Sequence, residues 1–150
     1  MRITAATAAD LDAIDEIERH SFPQPWPRET FEKELANEIA RVDVMRDPRD
    51  RVIGFNNYWL VAHEVHILAI ATHPDHRRGG IGRALLDHAL AAGRARDCLL
   101  ATLEVRRGNL PAIALYERAG FKITHVRPRY YQDNDEDALV MLAALDRGVN

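Results

Sequence analysis

Between Glu64 and Arg94 a strand-like run, a proline, a glycine-rich turn and a helical stripe follow one another without a break. The run EVHILAIAT is rich in apolar and β-branched residues, and it stops at His73-Pro74 because proline lacks a donor and restricts the residue before it. The turn RRGGIGR puts glycines at 79, 80 and 82. A helix is expected from Gly80–Gly82 to about Arg94, with Leu85, Leu86, Ala89 and Leu90 on one stripe. A strand that feeds a helix through so tight a turn commits the chain to an α/β architecture, with helices packed on a sheet.

The flanking segments extend that pattern. Thr7 and Asp10 resemble a capping box and open a helix expected over about 8–20, with Leu11, Ile14 and Ile17 on one face. SFPQPWP is a loop, since its three prolines cannot sit inside a helix. A second helix, about 28–38, carries Phe31 and Leu35 four apart, and short strands at 41–46 and 51–61 are joined through DPRD. LLATLEVR is a further strand. Asn109 caps a helix that tolerates Pro111 in its first turn and stops at Gly120; FKITHVRP and DALVMLAAL are the last two strands. The expected order is β-α-α-β-β-β-α-β-α-β-β, a mixed sheet with helices on its faces. At 150 residues the chain has the size of one domain, expected to span 1–150.

Composition narrows the function. Twenty basic residues against 23 acidic ones leave a net charge of −3, which gives no general attraction to nucleic acid. Locally, HPDHRRGGIGR gathers Arg77, Arg78 and Arg83 against Asp75 alone, while QDNDEDA is strongly acidic. No stretch approaches the roughly 18 consecutive apolar residues of a membrane span. The start, MRITAATAADLDAIDEIERH, has no apolar core of a signal peptide, so the expected location is the cytoplasm. Cys98 stands alone and cannot form an internal disulfide or, by itself, a zinc site. The pairs His63/His66 and His73/His76 do not make a recognised zinc set, and no metal is expected.

The turn carries the chemistry. Glycines let backbone N–H groups approach a ligand, and those amides, the positive helix end and the arginines together suit a pyrophosphate. No G-K-[ST] follows, and the G-G-x-G spacing is not a dinucleotide fingerprint. A glycine-rich β–α connection with solvated arginines is the plainer alternative.

Arg77, Arg78, Gly79, Gly80, Ile81 and Gly82 fill the Q/R-x-x-G-x-G/A pattern that resembles the central acetyl-CoA motif of the GNAT acetyltransferases. Three further segments are similar to the ribosomal-protein-alanine N-acetyltransferase (RimI-type) branch: HSFPQPWPRETF, LEVRRGNLPAIALYERAGF, and Arg129-Tyr130-Tyr131 followed by Glu136, Asp137, Ala138 and Met141. The resemblance implies a single-domain fold with a mixed, mostly antiparallel central sheet flanked by helices on both faces. It implies acetyl-CoA as cosubstrate, met by the backbone of Ile70, Ala71 and Thr72, by the turn from Arg77 to Arg83, and by Asn109. It also implies a peptide groove walled by Phe22, Trp26, Tyr130 and Tyr131. The branch's target is the amino-terminal alanine of small ribosomal subunit protein S18. Departures are Gly108, where a serine or alanine is common, the residues His76 and Arg77, and the apparent insertion Gln24-Pro25.

An N-terminal α-amine has a pKa of about 8, so a base of modest strength assists its attack on a thioester. Glu104 is the candidate, a carboxylate in a mainly apolar strand; a surface glutamate salt-bridged to Arg106 is the alternative. Tyr116 can protonate the leaving thiolate, or it can be a helix tyrosine packed on the sheet. Transfer is expected to be direct, without an acetyl-cysteine on Cys98. Core packing competes with groove lining for Phe22 and Phe31. Asp133, Asp135, Glu136 and Asp137 either attract a basic protein tail or form a solvated turn. Competing functions are an acetyltransferase for a lysine side chain or a small-molecule amine, a catalytically silent acetyl-CoA-binding module, and a nucleotide- or nucleic-acid-binding domain. A monomer is the default expectation, with a dimer as the alternative.

Overall fold

The computed structural model describes residues 1–145; the last five residues of the span expected as one domain lie outside the described part. Among the described residues, seven strands and four α-helices follow the expected order. They are β1 (Arg2–Ala5), α1 (Leu11–Ser21), α2 (Arg28–Ala36), β2 (Ala40–Arg46), β3 (Val52–Val61), β4 (Glu64–Thr72), α3 (Ile81–Ala95), β5 (Leu100–Arg106), α4 (Leu110–Arg118), β6 (Lys122–Tyr131) and β7 (Glu136–Ala144). The sheet order is β1-β2-β3-β4-β5-β7-β6. Pairs β1·β2, β2·β3, β5·β7 and β6·β7 are antiparallel, and β4·β5 is parallel. The result is the expected mixed, mostly antiparallel α/β sheet flanked by helices.

Three boundaries differ from the sequence reading for local reasons. The first helix begins with a 3-10 turn at Ala8–Asp10, where Asp10 accepts from Thr7 N at 3.0 Å and pairs with Arg46 Nη2 at 2.9 Å. Helix α2 ends at Ala36 because Asn37 is extended and its Oδ1 accepts from Ile39 N. Strand β6 runs on past Pro128 to Tyr131, since the register shifts after Arg127 and Arg129 takes φ 52°. Proline is tolerated there because β6 is an edge strand.

The described residues form two compact units: Met1–Trp59 with Leu68–Ala89, and Leu60–Ile67 with residues 90–145. In the first, Leu11, Ile14 and Ile17 of α1 and Phe31 of α2 bury against Val42, Val44, Phe55, Ala69 and Ala71. Phe31 meets Phe55 edge-on at 5.5 Å, which settles its place in the core. Several buried polar groups are paired: Glu34 accepts from Asn57 and from Trp59 Nε1, and Tyr58 donates to Asp43 at 2.8 Å. Gly54 permits a close approach, since a Cβ there would stand 2.9 Å from Ile81 Cγ2 and 3.1 Å from the Ala71 carbonyl. Its absence seats the start of α3 directly on the strand.

In the second unit β5 alternates as expected, with Ala101, Leu103 and Val105 buried and Glu104 exposed on the other face. Its parallel register with β4 runs from Glu64↔Leu100 to Ile67↔Leu103. Cys98 is buried just before β5, and desolvation pushes its thiol up, away from the reactive thiolate. No helix among the described residues is long and apolar enough to cross a membrane.

Candidate active site

The first unit supplies the glycine turn. Strand β4 ends at Thr72, Pro74–His76 forms a 3-10 turn, and α3 starts at Ile81. Gly80 has φ 79°, a left-handed conformation that a side chain disfavours, and Arg78 shares it at 69°. A Cβ on Gly80 would meet nothing within 4 Å, and one on Gly79 only the His76 carbonyl at 3.6 Å, so this side of the turn is open. The first intrahelical bond runs from Ala84 N to the Gly80 carbonyl at 3.0 Å. The amides of Ile81, Gly82 and Arg83 therefore have no partner within the helix, and the helix end is positive. Open space, a glycine cradle and unpaired helical amides fit a pyrophosphate.

The arginines of this turn divide their labour. Arg77 folds back, donating to the Thr72 carbonyl at 3.4 Å and the His20 carbonyl at 3.2 Å, so its side chain braces the turn against α1. Arg83 pairs with Asp87 one helical turn on. Arg78 is exposed. His73 stiffens the approach, with Nδ1 accepting from Asp75 N and Nε2 3.4 Å from Glu16. On β4, Ala71 is buried while Ile70 and Thr72 are partly exposed, and all three lie beyond the stretch registered with β5.

Phe22 and Trp26 also belong to the first unit. Both are partly buried against its core, and the Trp26 ring lies 5.6 Å from Phe31. The loop between them is tied by Glu18, which accepts from Trp26 N at 3.0 Å. Burial pushes the Glu18 carboxyl up from its ordinary range. Sequence reasoning missed Glu18 because an acidic residue on a helix ordinarily reads as solvated.

The second unit carries Glu104, Tyr116, Tyr130 and Tyr131. The Glu104 side chain is 34% exposed and its Oε2 stands 2.6 Å from Arg127 Nε. Tyr130 Oη donates to Glu104 Oε1 at 3.4 Å, and the Arg127 guanidinium lies 5.7 Å from the Tyr130 ring centre. Tyr130 and Tyr131 meet edge-on at 5.2 Å. The Arg106 guanidinium stacks on Tyr131 at 3.9 Å and bonds Asp133 at 2.9 Å and Glu136 at 3.3 Å. Arg107 pairs with Asp137. Asp133, Glu136 and Asp137 are thus engaged in fastening their own hairpin, and the cation beside Glu104 is Arg127 rather than Arg106.

Tyr116 is buried on α4, its ring 5.9 Å from Phe121, and desolvation pushes its hydroxyl up to about 12. It therefore keeps its proton at neutral pH. Asn109 caps α4, its Oδ1 accepting from Ala112 N at 3.3 Å, and is itself exposed. Gly108 N donates to Glu136 at 2.6 Å, and a Cβ at Gly108 would collide with that carboxylate at the same distance. The glycine that departs from the common serine or alanine is what lets Glu136 sit there. Among the described residues no group of three or more His, Cys, Asp or Glu side chains could hold a metal ion.

The chain is similar to known proteins over most of its length. The model of the Acetyltransferase (GNAT) family matches residues 11–121. The [ribosomal protein bS18]-alanine N-acetyltransferase of Escherichia coli is 33% identical over 93% of this chain and 94% of its own. An N-alpha-acetyltransferase of Sulfurisphaera tokodaii is 37% identical over 96% of this chain and 93% of its own. The crystal structure of the E. coli ribosomal-protein-S18-alanine N-acetyltransferase superposes with a TM-score of 0.89, covering 99% of this chain and 96% of that one at 32% identity. With the family model spanning most of its length and relatives of this similarity, the chain belongs to the GNAT acetyltransferase family and uses acetyl-CoA as its cosubstrate.

Proposed function

We propose that the chain acetylates the α-amine at the N-terminus of a protein, with an alanine-starting ribosomal protein of the bS18 kind as its substrate, and that Glu104 and Tyr116 handle the protons. The observation that carries the chemistry is Glu104 itself: a part-exposed carboxylate on a mainly apolar strand, beside two tyrosines. The E. coli relative, alike over nearly its whole length, carries the substrate class.

Acetyl-CoA supplies the thioester carbonyl. In the first unit the amides opening α3 and the turn from Arg77 to Arg83 would hold its diphosphate and the backbone of Ile70, Ala71 and Thr72 its pantetheine arm; the family resemblance also assigns it Asn109 of the second unit. For the peptide, the resemblance assigns Phe22 and Trp26 of the first unit and Tyr130 and Tyr131 of the second. Glu104 takes a proton from the α-ammonium, directly or through one water, and the neutral amine attacks. Tyr116 gives its proton to the departing sulfur, a role that needs a hydroxyl still protonated at neutral pH, and the second proton that the nitrogen sheds on becoming an amide restores the tyrosine through solvent. Both substrates are bound together, and the buried Cys98 takes no part.

The test is acetyl transfer to peptides that begin with Ala, Ser or Met, or with an already blocked alanine, each carrying one internal lysine, with the modified nitrogen located by mass. Label confined to the free α-amine of the alanine peptide is expected. Label on the internal lysine of the blocked peptide would move the chain to a lysine-modifying role.

A further inference from the structure

The partner of Glu104 raises a chemical difficulty. A base that must take a proton from an ammonium has one carboxylate oxygen already held 2.6 Å from a guanidinium, where the ammonium would have to approach. Strand register explains the pairing. Glu104 lies opposite Val140 on β7, whose neighbour on β6 is His125, so Arg127 reaches Glu104 diagonally from two residues along. The groups facing Glu104 within this unit are Arg127 and Tyr130 from β6 and, more remotely, Tyr131; the β7 neighbour is apolar. Arg106, on the same strand, is occupied by Asp133 and Glu136. The Arg127 side chain is 52% exposed, and an ion pair so open to water is weak enough to exchange partners.

Resting on the proposed role of Glu104 as base, we propose that Arg127 is a positioning residue that exchanges places with the substrate amine. In the free enzyme the guanidinium orients the carboxylate. The arriving α-ammonium displaces it, so Glu104 trades one cation for another and is never left unpaired. One N–H bond of the ammonium then breaks and one O–H bond forms on Glu104, leaving a neutral amine and a neutral carboxyl. After transfer the product is an uncharged amide. Glu104 returns its proton to solvent, and Arg127 recaptures the carboxylate. The exchange admits cationic amines and leaves the acetylated product without the ion pair that the substrate made.

The experiment uses the full chain with Arg127→Met, Arg127→Gln and Arg127→Lys. It compares KM for a free alanine-starting peptide with the inhibition constant of the same peptide acetylated. The two neutral variants are expected to lower kcat and to lower KM for the free peptide several-fold, because no guanidinium has to be displaced. The inhibition constant of the acetylated peptide stays within about twofold, since it carries no ammonium to compete, and Arg127→Lys restores the wild-type ratio. If KM and the inhibition constant move together, or neither moves, or the neutral variants raise KM alone, the exchange is wrong. Glu104→Gln separates the two ideas. Wild-type kcat in that variant overturns the base itself, whereas a large loss there with an unmoved ratio in the Arg127 variants overturns only the exchange.

Discussion

The turn before α3 and the hairpin joining β6 to β7 are both connections, yet one is built from backbone and the other from side chains. At the turn, Gly79 and Gly80 leave open space, Gly80 is left-handed, and Arg77 and Arg83 spend their charges on nearby protein groups. What remains for a ligand is a row of amides. At the hairpin, Arg106 and Arg107 fasten Asp133, Glu136 and Asp137, and Arg127 and Tyr130 reach Glu104. A diphosphate is common to every turnover and suits fixed amides. In the proposed reaction a proton moves at the other site, and that requires titratable side chains.

Substitutions on the two sides should therefore fail differently. The largest effect is expected from Glu104→Gln, with kcat reduced about 100- to 1,000-fold and KM for acetyl-CoA unchanged in steady-state kinetics. Tyr116→Phe should follow, with kcat lowered roughly 10- to 100-fold and both KM values kept. Gly80→Val forces a branched residue into φ 79°, a cost of about 1–2 kcal/mol, and should raise KM for acetyl-CoA about tenfold while kcat at saturation stays near wild type. Arg106→Met frees the hairpin, and a several-fold rise in KM for the peptide alone would mark it as part of the peptide path.

The smallest effect concerns stability. The Tyr116 hydroxyl is held at about 12, and Tyr58 is shifted in the same direction by burial and by Asp43. A group that binds its proton more tightly folded than unfolded lends stability that is complete below its unfolded value of about 10 and lost as pH climbs toward the folded one. Urea midpoints should thus stay level from Tyr titration up to about pH 9 and fall above pH 10, with a shallower fall in Tyr116→Phe.

The same contrast explains what could be read without coordinates. The turn was legible because its signals are local: Pro74 ends a strand, the glycines permit a left-handed step, and Leu85 and Leu86 begin a stripe. The element order was legible for the same reason. The surroundings of Glu104 were not. Arg106 sits two residues from Glu104 on one face and looks like its partner, but the closing hairpin brings Asp133 and Glu136 to Arg106 first. Arg127 is a partner only through a three-strand ladder in which β7 lies between β5 and β6, a register that spacing along the chain does not specify. The course of β6 was obscured by Pro128, which marks a strand end except at an edge with a register shift.

The most direct measurement is equilibrium binding of acetyl-CoA to Glu104→Gln and Gly80→Val beside the wild-type chain. A division between backbone binding and side-chain chemistry predicts wild-type affinity for Glu104→Gln despite its lost turnover, and affinity about tenfold weaker for Gly80→Val. Weakened binding in Glu104→Gln to the same degree, or undiminished binding in Gly80→Val, would contradict that division.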